Sequence, residues 1–205
     1  MKKHIHARYT IESSNSCNLS CGNNLDFVSI LPGEDILDLG CGNGKEAIQA
    51  AMLTGTAGTV VGLDITQAML DNALHNSKET GISNIRFVKG DIECLPFANA
   101  VFDAVISNCV INHASNKLKV YQEIFRVLKK EGRFIVSDAV TKTPLPVAVK
   151  EDPENWAQCF GGAVTEEEYL ETIRSVGFKK IEILKRRDYI KNGYDFISLT
   201  IKANK

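Results

Sequence analysis

The stretch Asp38-Leu39-Gly40-Cys41-Gly42-Asn43-Gly44 decides how this chain is read, because three alternate glycines join an apolar run, Asp35 to Leu39, to a helix-forming segment. Glycine permits a tight turn and a close backbone approach to a ligand, and the start of the next helix offers unpaired N–H groups. A nucleotide-like ligand is expected there. A lone glycine-rich turn is weak, but Asp64 closes the following apolar run, Thr59 to Asp64, where a carboxylate accepts hydrogen bonds from both ribose hydroxyls. The competing reading, a dinucleotide site with G-x-G-x-x-G spacing, wants glycine at position 45, and Lys45 stands there.

Outward from the turn, apolar runs alternate with helix-period segments. Ile85 to Lys89, Phe102 to Ser107 and Arg133 to Asp138 continue the strands, and the alternation predicts βαβ units on a parallel sheet. Thr66 predicts the N-cap of a helix through Met69, Leu70 and Ala73 that stops at Gly81. Leu118, Tyr121, Phe125 and Leu128 predict one apolar face of another that stops at Gly132. Thr165-Glu166-Glu167-Glu168 is a capping-box pattern ahead of Tyr169, Leu170 and Ile173, with Gly177 as the stop. Two further strands, Phe178 to Leu184 and Phe196 to Ala203, are separated by the turn pair Asn192-Gly193, which would place one antiparallel strand on an otherwise parallel sheet.

The expected fold is therefore α/β and Rossmann-like: a mostly parallel seven-stranded sheet with helices on both faces and one antiparallel strand. Residues 1–26 read as a cysteine-containing polar arm and 27–205 as the domain proper. Residues 139–164, with Pro144, Pro146, Pro153 and Gly161-Gly162, are too long for an ordinary connection and read as a lid.

The chain has 205 residues, 44% of them hydrophobic, enough for one core and one domain. Its 24 Lys and Arg against 25 Asp and Glu give a net charge of −1 with the signs interspersed, so there is no electrostatic footprint for nucleic acid or anionic lipid. Lys185-Arg186-Arg187 reads as a solvated strand end. Met1-Lys2-Lys3-His4-Ile5-His6 is basic like a signal peptide but lacks the apolar stretch of about 7–15 residues that should follow. No apolar run approaches the roughly 18 residues of a membrane span. The expectation is a cytoplasmic protein with neither a nucleic-acid nor a membrane partner.

Six cysteines in such a chain are not expected to form structural disulfides. Cys41 in the turn and Cys94 in Glu93-Cys94-Leu95-Pro96-Phe97 read as small packing residues. Cys109, in Ser107-Asn108-Cys109-Val110-Ile111-Asn112, lies just past the fourth strand beside the crevice expected at the strand ends, where a buried core cysteine is the competing reading. Cys159, in Trp156-Ala157-Gln158-Cys159-Phe160-Gly161-Gly162-Ala163, lies on the lid. Together they suggest a soft, thiol-seeking substrate such as a metalloid. No core explains Cys17 and Cys21 in the arm, which makes them candidates for ligands or redox work. Half of a zinc site is the rival, although no second C-x-x-C or His pair completes four ligands. His113 and His4 could serve as ligands, although an isolated histidine is usually a surface residue.

The Gly40-x-Gly42-x-Gly44 spacing resembles motif I of class I S-adenosylmethionine-dependent methyltransferases. Glu93-x-Leu95-Pro96, Ser107-Asn108-Cys109-Val110-Ile111-Asn112, Glu123-Ile124-Phe125-Arg126-Val127-Leu128-Lys129, Val136-Ser137-Asp138 and Trp156-Ala157-x-Cys159-x-Gly161-Gly162-Ala163 look like arsenite S-adenosylmethionine methyltransferases over residues 30–178. The two cysteine segments are the specific ones, since the first and third occur in many methyltransferases. The resemblance implies the class I methyltransferase fold, S-adenosylmethionine as cofactor, trivalent arsenic as substrate, a thiol reductant and a monomeric enzyme. Implied cofactor contacts are Asp38, Gly40, Cys41, Gly42 and Gly44 at the turn; Asp64, which would bind the ribose; Asp91, which would sit by the adenine amino group; and Ile65, Met69, Gly90, Ile92 and Asn108. It further implies that Cys109 and Cys159 bind arsenic(III), with Cys17 or Cys21 as a third ligand. Two alternatives share the fold: a methyltransferase for a quinone-like carbon or oxygen acceptor, and a non-catalytic metalloid or zinc sensor.

Overall fold

The computed structural model describes residues 2–13 and 24–205. The apolar runs nearest the glycine turn become parallel strands because both their faces are covered: β1 (Ile36–Leu39), β2 (Val60–Asp64) and β4 (Phe102–Asn108) are buried along nearly all their length. With β3 (Ile85–Lys89), β5 (Leu128–Thr141), β6 (Lys179–Lys191) and β7 (Tyr194–Asn204) they form a seven-stranded sheet in the order β3-β2-β1-β4-β5-β7-β6. Among the described strands only β7 runs against its neighbours, so the expected sheet is the one observed. Asn192 and Gly193, at φ 51° and 79°, close the β6–β7 hairpin between the paired Lys191 and Tyr194, the backbone a two-residue primed turn requires.

Side chains alternate across the sheet. Ile36 and Val60 face a core shared with α3 (Lys45–Thr54) and α4 (Gln67–Glu79), whereas Leu37, Leu39, Val61 and Leu63 face one shared with α5 (Lys117–Val127) and α8 (Glu166–Val176). The Thr165 hydroxyl caps α8 by accepting the Glu168 N–H, and Gly177 ends it in the left-handed conformation, as expected. Thr66 precedes α4 but its buried hydroxyl has no partner; the helix start leans instead on Asp64, whose Oδ1 accepts the Thr66 N–H at 2.8 Å.

Helix α5 departs from its expected face. Asn116 accepts the Lys119 N–H at 3.0 Å and sets the phase so that Val120, Tyr121, Ile124 and Val127 are buried and Leu118 is 41% exposed. The helix ends well before Gly132, because Leu128 is already extended and pairs with Phe102 at the start of β5. Tertiary pairing overrides the local helical preference there.

Part of the expected polar arm is also helical: α1 (Lys2–Glu12) packs on α4 and on α7 (Pro153–Ala157) and buries only Ile5. A single turn, α2 (Leu25–Val28), leads into β1. The lid segment carries α6 (Val147–Glu151) and α7 and has a small core of its own, in which Leu145, Val149, Phe160 and Ala163 pack on Phe196 of β7. No helix among the described residues is long and apolar enough to cross a membrane. β1 has β2 on one side and β4 on the other, so the crossover opens a crevice at their C-terminal ends.

Candidate active site

At the crevice, Gly40, Gly42 and Gly44 take φ of 69°, 52° and 82°. Gly40 is required by contact as well as by conformation, since a Cβ there would lie 2.2 Å from Val110 Cγ2. The N–H groups of Gly40 and Cys41 donate to the Leu63 carbonyl at 2.7 and 3.0 Å, fastening the turn to β2. Asp64 completes the clamp by accepting the Gly42 N–H at 3.0 Å on Oδ2. Burial raises its carboxyl above the ordinary value, against the Thr66 and Gly42 N–H groups that favour the anion.

The turn borders a cavity. Its wall carries Gly40, Gly42, Asp64, Ile65, Gly90, Asp91, Ile92, Asn108 and Cys109. The remaining turn and helix candidates lie behind this wall. Asp38 is buried, and desolvation with the nearby Glu46 and Asp64 charges raises its carboxyl well above the usual range. Cys41 packs in the core as expected, Gly44 precedes α3, and Met69 is buried on α4. Cys94 differs from its reading as a packing residue: it is exposed, because it sits in a turn whose N–H donates to the Asp91 carbonyl.

Sequence reasoning missed Lys2, Ile5 and Tyr9, which α1 brings to the cavity, and His113. Lys2 pairs with Asp91 and lies 3.6 Å from Glu93. Burial works against the Asp91 carboxylate, yet the Lys2 ammonium and the Glu93 N–H hold its pKa below the usual value. Glu93 Oε1 accepts from the Ser115 and Asn116 N–H groups at 2.6 and 3.1 Å, fixing the segment that leads into α5.

The segments of the two cysteines expected to act together come into contact, the Cys159 thiol against the Cys109 backbone. Cys109 follows β4 at φ 57° with its N–H donating to the Ser137 carbonyl at 2.8 Å, and Cys159 follows α7 at φ 63°. The Cys159 thiol lies 3.1 Å from the Cys109 carbonyl oxygen, 2.7 Å from His113 Nε2 and 3.3 Å from Tyr9 Oη. Burial pushes this thiol up to about 11, and burial pushes the His113 imidazole down to about 4, so both are neutral near pH 7. His113 is therefore part of the site rather than the surface residue expected; His4 is exposed on α1. Cys109 is disulfide-bonded, against the expectation of free thiols throughout, while Cys41, Cys94 and Cys159 are free. Cys17 and Cys21 lie outside the described residues. Among the described residues no group of three or more His, Cys, Asp and Glu could hold a metal ion.

Asp138 fixes the turn that carries Cys109 and His113. Its buried carboxylate accepts the Asn112 side-chain amide at 2.7 Å, the Asn112 and Ala139 N–H groups at 3.2 and 2.9 Å, and the Tyr169 hydroxyl at 3.3 Å. From the lid side, a Cβ on Gly162 would lie 2.0 Å from the Asn112 carbonyl, so only glycine lets the Cys159 segment come this close. Asp138→Ala strands several buried donors at about 1–3 kcal/mol each when unsatisfied, and is expected to lower stability by about 2–4 kcal/mol in urea unfolding.

A methyltransferase-domain family matches residues 30–177. The arsenite methyltransferase of Halobacterium salinarum is 36% identical over 197 residues, which is 91% of this chain and 50% of that protein. The Homo sapiens arsenite methyltransferase is 36% identical over 152 residues, 70% of this chain and 40% of that protein. The chain thus spans about half the length of the curated relatives it matches. The crystal structure of CrArsM, an arsenic(III) S-adenosylmethionine methyltransferase from Chlamydomonas reinhardtii, superposes with a TM-score of 0.83 at 30% identity, over 98% of this chain and 73% of that one. Shared sequence and shared architecture agree across most of the chain, which therefore belongs to the arsenite S-adenosylmethionine methyltransferase family of class I methyltransferases.

Proposed function

We propose that the protein transfers a methyl group from S-adenosylmethionine to trivalent arsenic held by the thiolates of Cys109 and Cys159. The observation that carries this reading is the approach of the Cys159 thiol to within 3.1 Å of the Cys109 carbonyl at the end of a cavity that Cys109 itself lines. Arsenic(III) is soft, and paired thiolates are the ligands that suit a soft centre.

The residues present fit the cofactor. A Cβ on Gly42 would meet nothing within 4 Å, so the turn leaves open space over its backbone, and Asp64 lies on the wall with a buried carboxylate suited to two ribose hydroxyls. Asp91, just past the neighbouring strand β3, suits the adenine amino group, and Gly90, Ile92, Ile65 and Asn108 complete the enclosure. Bound there, S-adenosylmethionine supplies an electrophilic methyl group on a sulfonium.

The chain's own part is ligation and alignment. Each cysteine exchanges its S–H for an S–As bond while an arsenic hydroxyl leaves as water, so the proton lost by sulfur is carried off by oxygen. Taking up the methyl group through its lone pair raises arsenic to the pentavalent level, from which two thiols of the reductant would return it to the trivalent state by forming a disulfide, and because no proton leaves arsenic, no general base is needed. Alignment carries the catalysis; effective molarities of roughly 10⁵ M or more are reached by such positioning. Cys109 must be reduced before it can ligate, which would be the task of a thiol reductant, and a cytoplasmic, monomeric enzyme is part of the same proposal. Residues 27–205 would hold most of this machinery, with Lys2, Ile5 and Tyr9 of the 1–26 arm on the cavity wall and Cys17 or Cys21 as a third ligand for inorganic arsenite.

The test is turnover. Purified protein with S-adenosylmethionine, methylarsenite and excess thiol should yield dimethylated arsenic and S-adenosylhomocysteine in equal amounts; cofactor binding without either product would defeat the proposal. Asp64→Ala, which loses two hydrogen bonds of about 0.5–1.5 kcal/mol each, should weaken cofactor binding about tenfold to a hundredfold by calorimetry.

A further inference from the structure

The sulfur of Cys159 has unusual company. His113 Nε2 lies 2.7 Å from it, Tyr9 Oη lies 3.3 Å from it, and these two atoms are 3.0 Å from each other, so imidazole, phenol and thiol close a triangle. The Tyr9 and His113 rings meet edge-on, with centroids 5.4 Å apart and planes at 90°. The Cys109 carbonyl, 3.1 Å away, is a further partner of the same sulfur. A free cysteine usually packs as a small apolar residue with a weak S–H donor, so a sulfur surrounded by three polar groups is held in one orientation rather than merely buried.

Packing alone does not explain the histidine. His113 Nδ1 is out of reach of solvent, and the Trp156 backbone beside it falls short of full hydrogen-bond geometry, a cost that an apolar side chain would avoid. Tyr9 arrives from a different direction, on α1, which also places Ile5 and Lys2 on the cavity wall and donates a hydrogen bond from Arg8 to the Ala157 carbonyl of α7. One helix thus touches the cavity near Asp91 at one end and the Cys159 segment at the other.

Resting on the proposed function, we infer that Tyr9 and His113 are positioning residues that hold the Cys159 thiol turned toward the Cys109 turn, ready for trivalent arsenic to bridge the two sulfurs. A thiol already fixed in the ligating orientation gives up less rotational freedom when the second As–S bond closes. The contribution belongs to arsenic capture, not to cofactor binding or to the methyl transfer that follows.

Tyr9→Phe, His113→Leu and His113→Gln separate these steps. In the full chain with saturating S-adenosylmethionine, the KM for methylarsenite should rise about tenfold in His113→Leu and about threefold in Tyr9→Phe, while kcat stays within about twofold. His113→Gln, whose amide offers both a donor and an acceptor, should recover most of the loss. The single tryptophan, Trp156, lies three positions before Cys159, so its fluorescence reports methylarsenite binding without cofactor, and the same order of affinities is expected. Wild-type KM in all three variants would overturn the inference, as would parallel losses in kcat, cofactor affinity and thermal stability, the mark of a purely structural role. Tyr9→Phe removes one oxygen from a partly exposed helix and keeps the test open should His113→Leu misfold. Failure of the wild-type protein to bind methylarsenite, or full activity in Cys159→Ser, would instead remove the functional reading and this inference with it.

Discussion

Cys109→Ser and Cys159→Ser should each reduce methylation of trivalent arsenic about a hundredfold or more, because a hydroxyl is a hard, mostly protonated ligand that cannot replace a thiolate on a soft centre. Cofactor affinity should stay nearly intact. Cys109 lines the cavity through a turn whose backbone is held by Ser137 and Asp138, and a one-atom change in its side chain leaves those hydrogen bonds in place. Cys159 lies on the lid, away from the turn that would hold the cofactor. Rates of methylated product, measured beside calorimetric cofactor binding, check both halves of this expectation. Near wild-type turnover in either variant would make that cysteine a packing residue.

Gly40→Ala should act through the scaffold instead. At φ 69° the backbone is left-handed, and the new Cβ would lie 2.2 Å from Val110 Cγ2, next to Cys109. Left-handed strain and overpacking together are expected to cost about 2–5 kcal/mol. The turn must shift or Val110 must move, and either change displaces the cofactor wall and the Cys109 segment together. Denaturant unfolding should show the stability loss, and cofactor binding should fall even where the protein remains folded. Unchanged stability would mean that Val110 relaxes freely and that the turn is less tightly packed than described.

Most of the sheet was legible because its signals are local. The glycine turn, the acidic end of β2, the Asn192-Gly193 hairpin and the Thr165 cap each rest on backbone conformations that particular residues favour. What was missed depends on contacts distant in sequence. The α5 face was misread because the Asn116 cap and the Leu128–Phe102 pairing, not hydrophobic spacing alone, decide where that helix begins and ends. Helix α1 left almost no pattern, since Ile5 is its only buried side chain. His113 looked like a surface histidine until the lid brought Cys159 against it across 46 positions of sequence. The cysteines were legible as a pair only through their chemistry, which needs two thiols at one point whatever their separation along the chain.

Arsenic K-edge absorption on the reduced, methylarsenite-loaded protein tests the central claim most directly, because it counts the sulfur neighbours of the bound atom without requiring turnover. Two sulfur neighbours are expected in the wild-type protein and one in Cys159→Ser, with the same result for Cys109→Ser. Identical sulfur coordination in the wild-type protein and both variants would contradict the account.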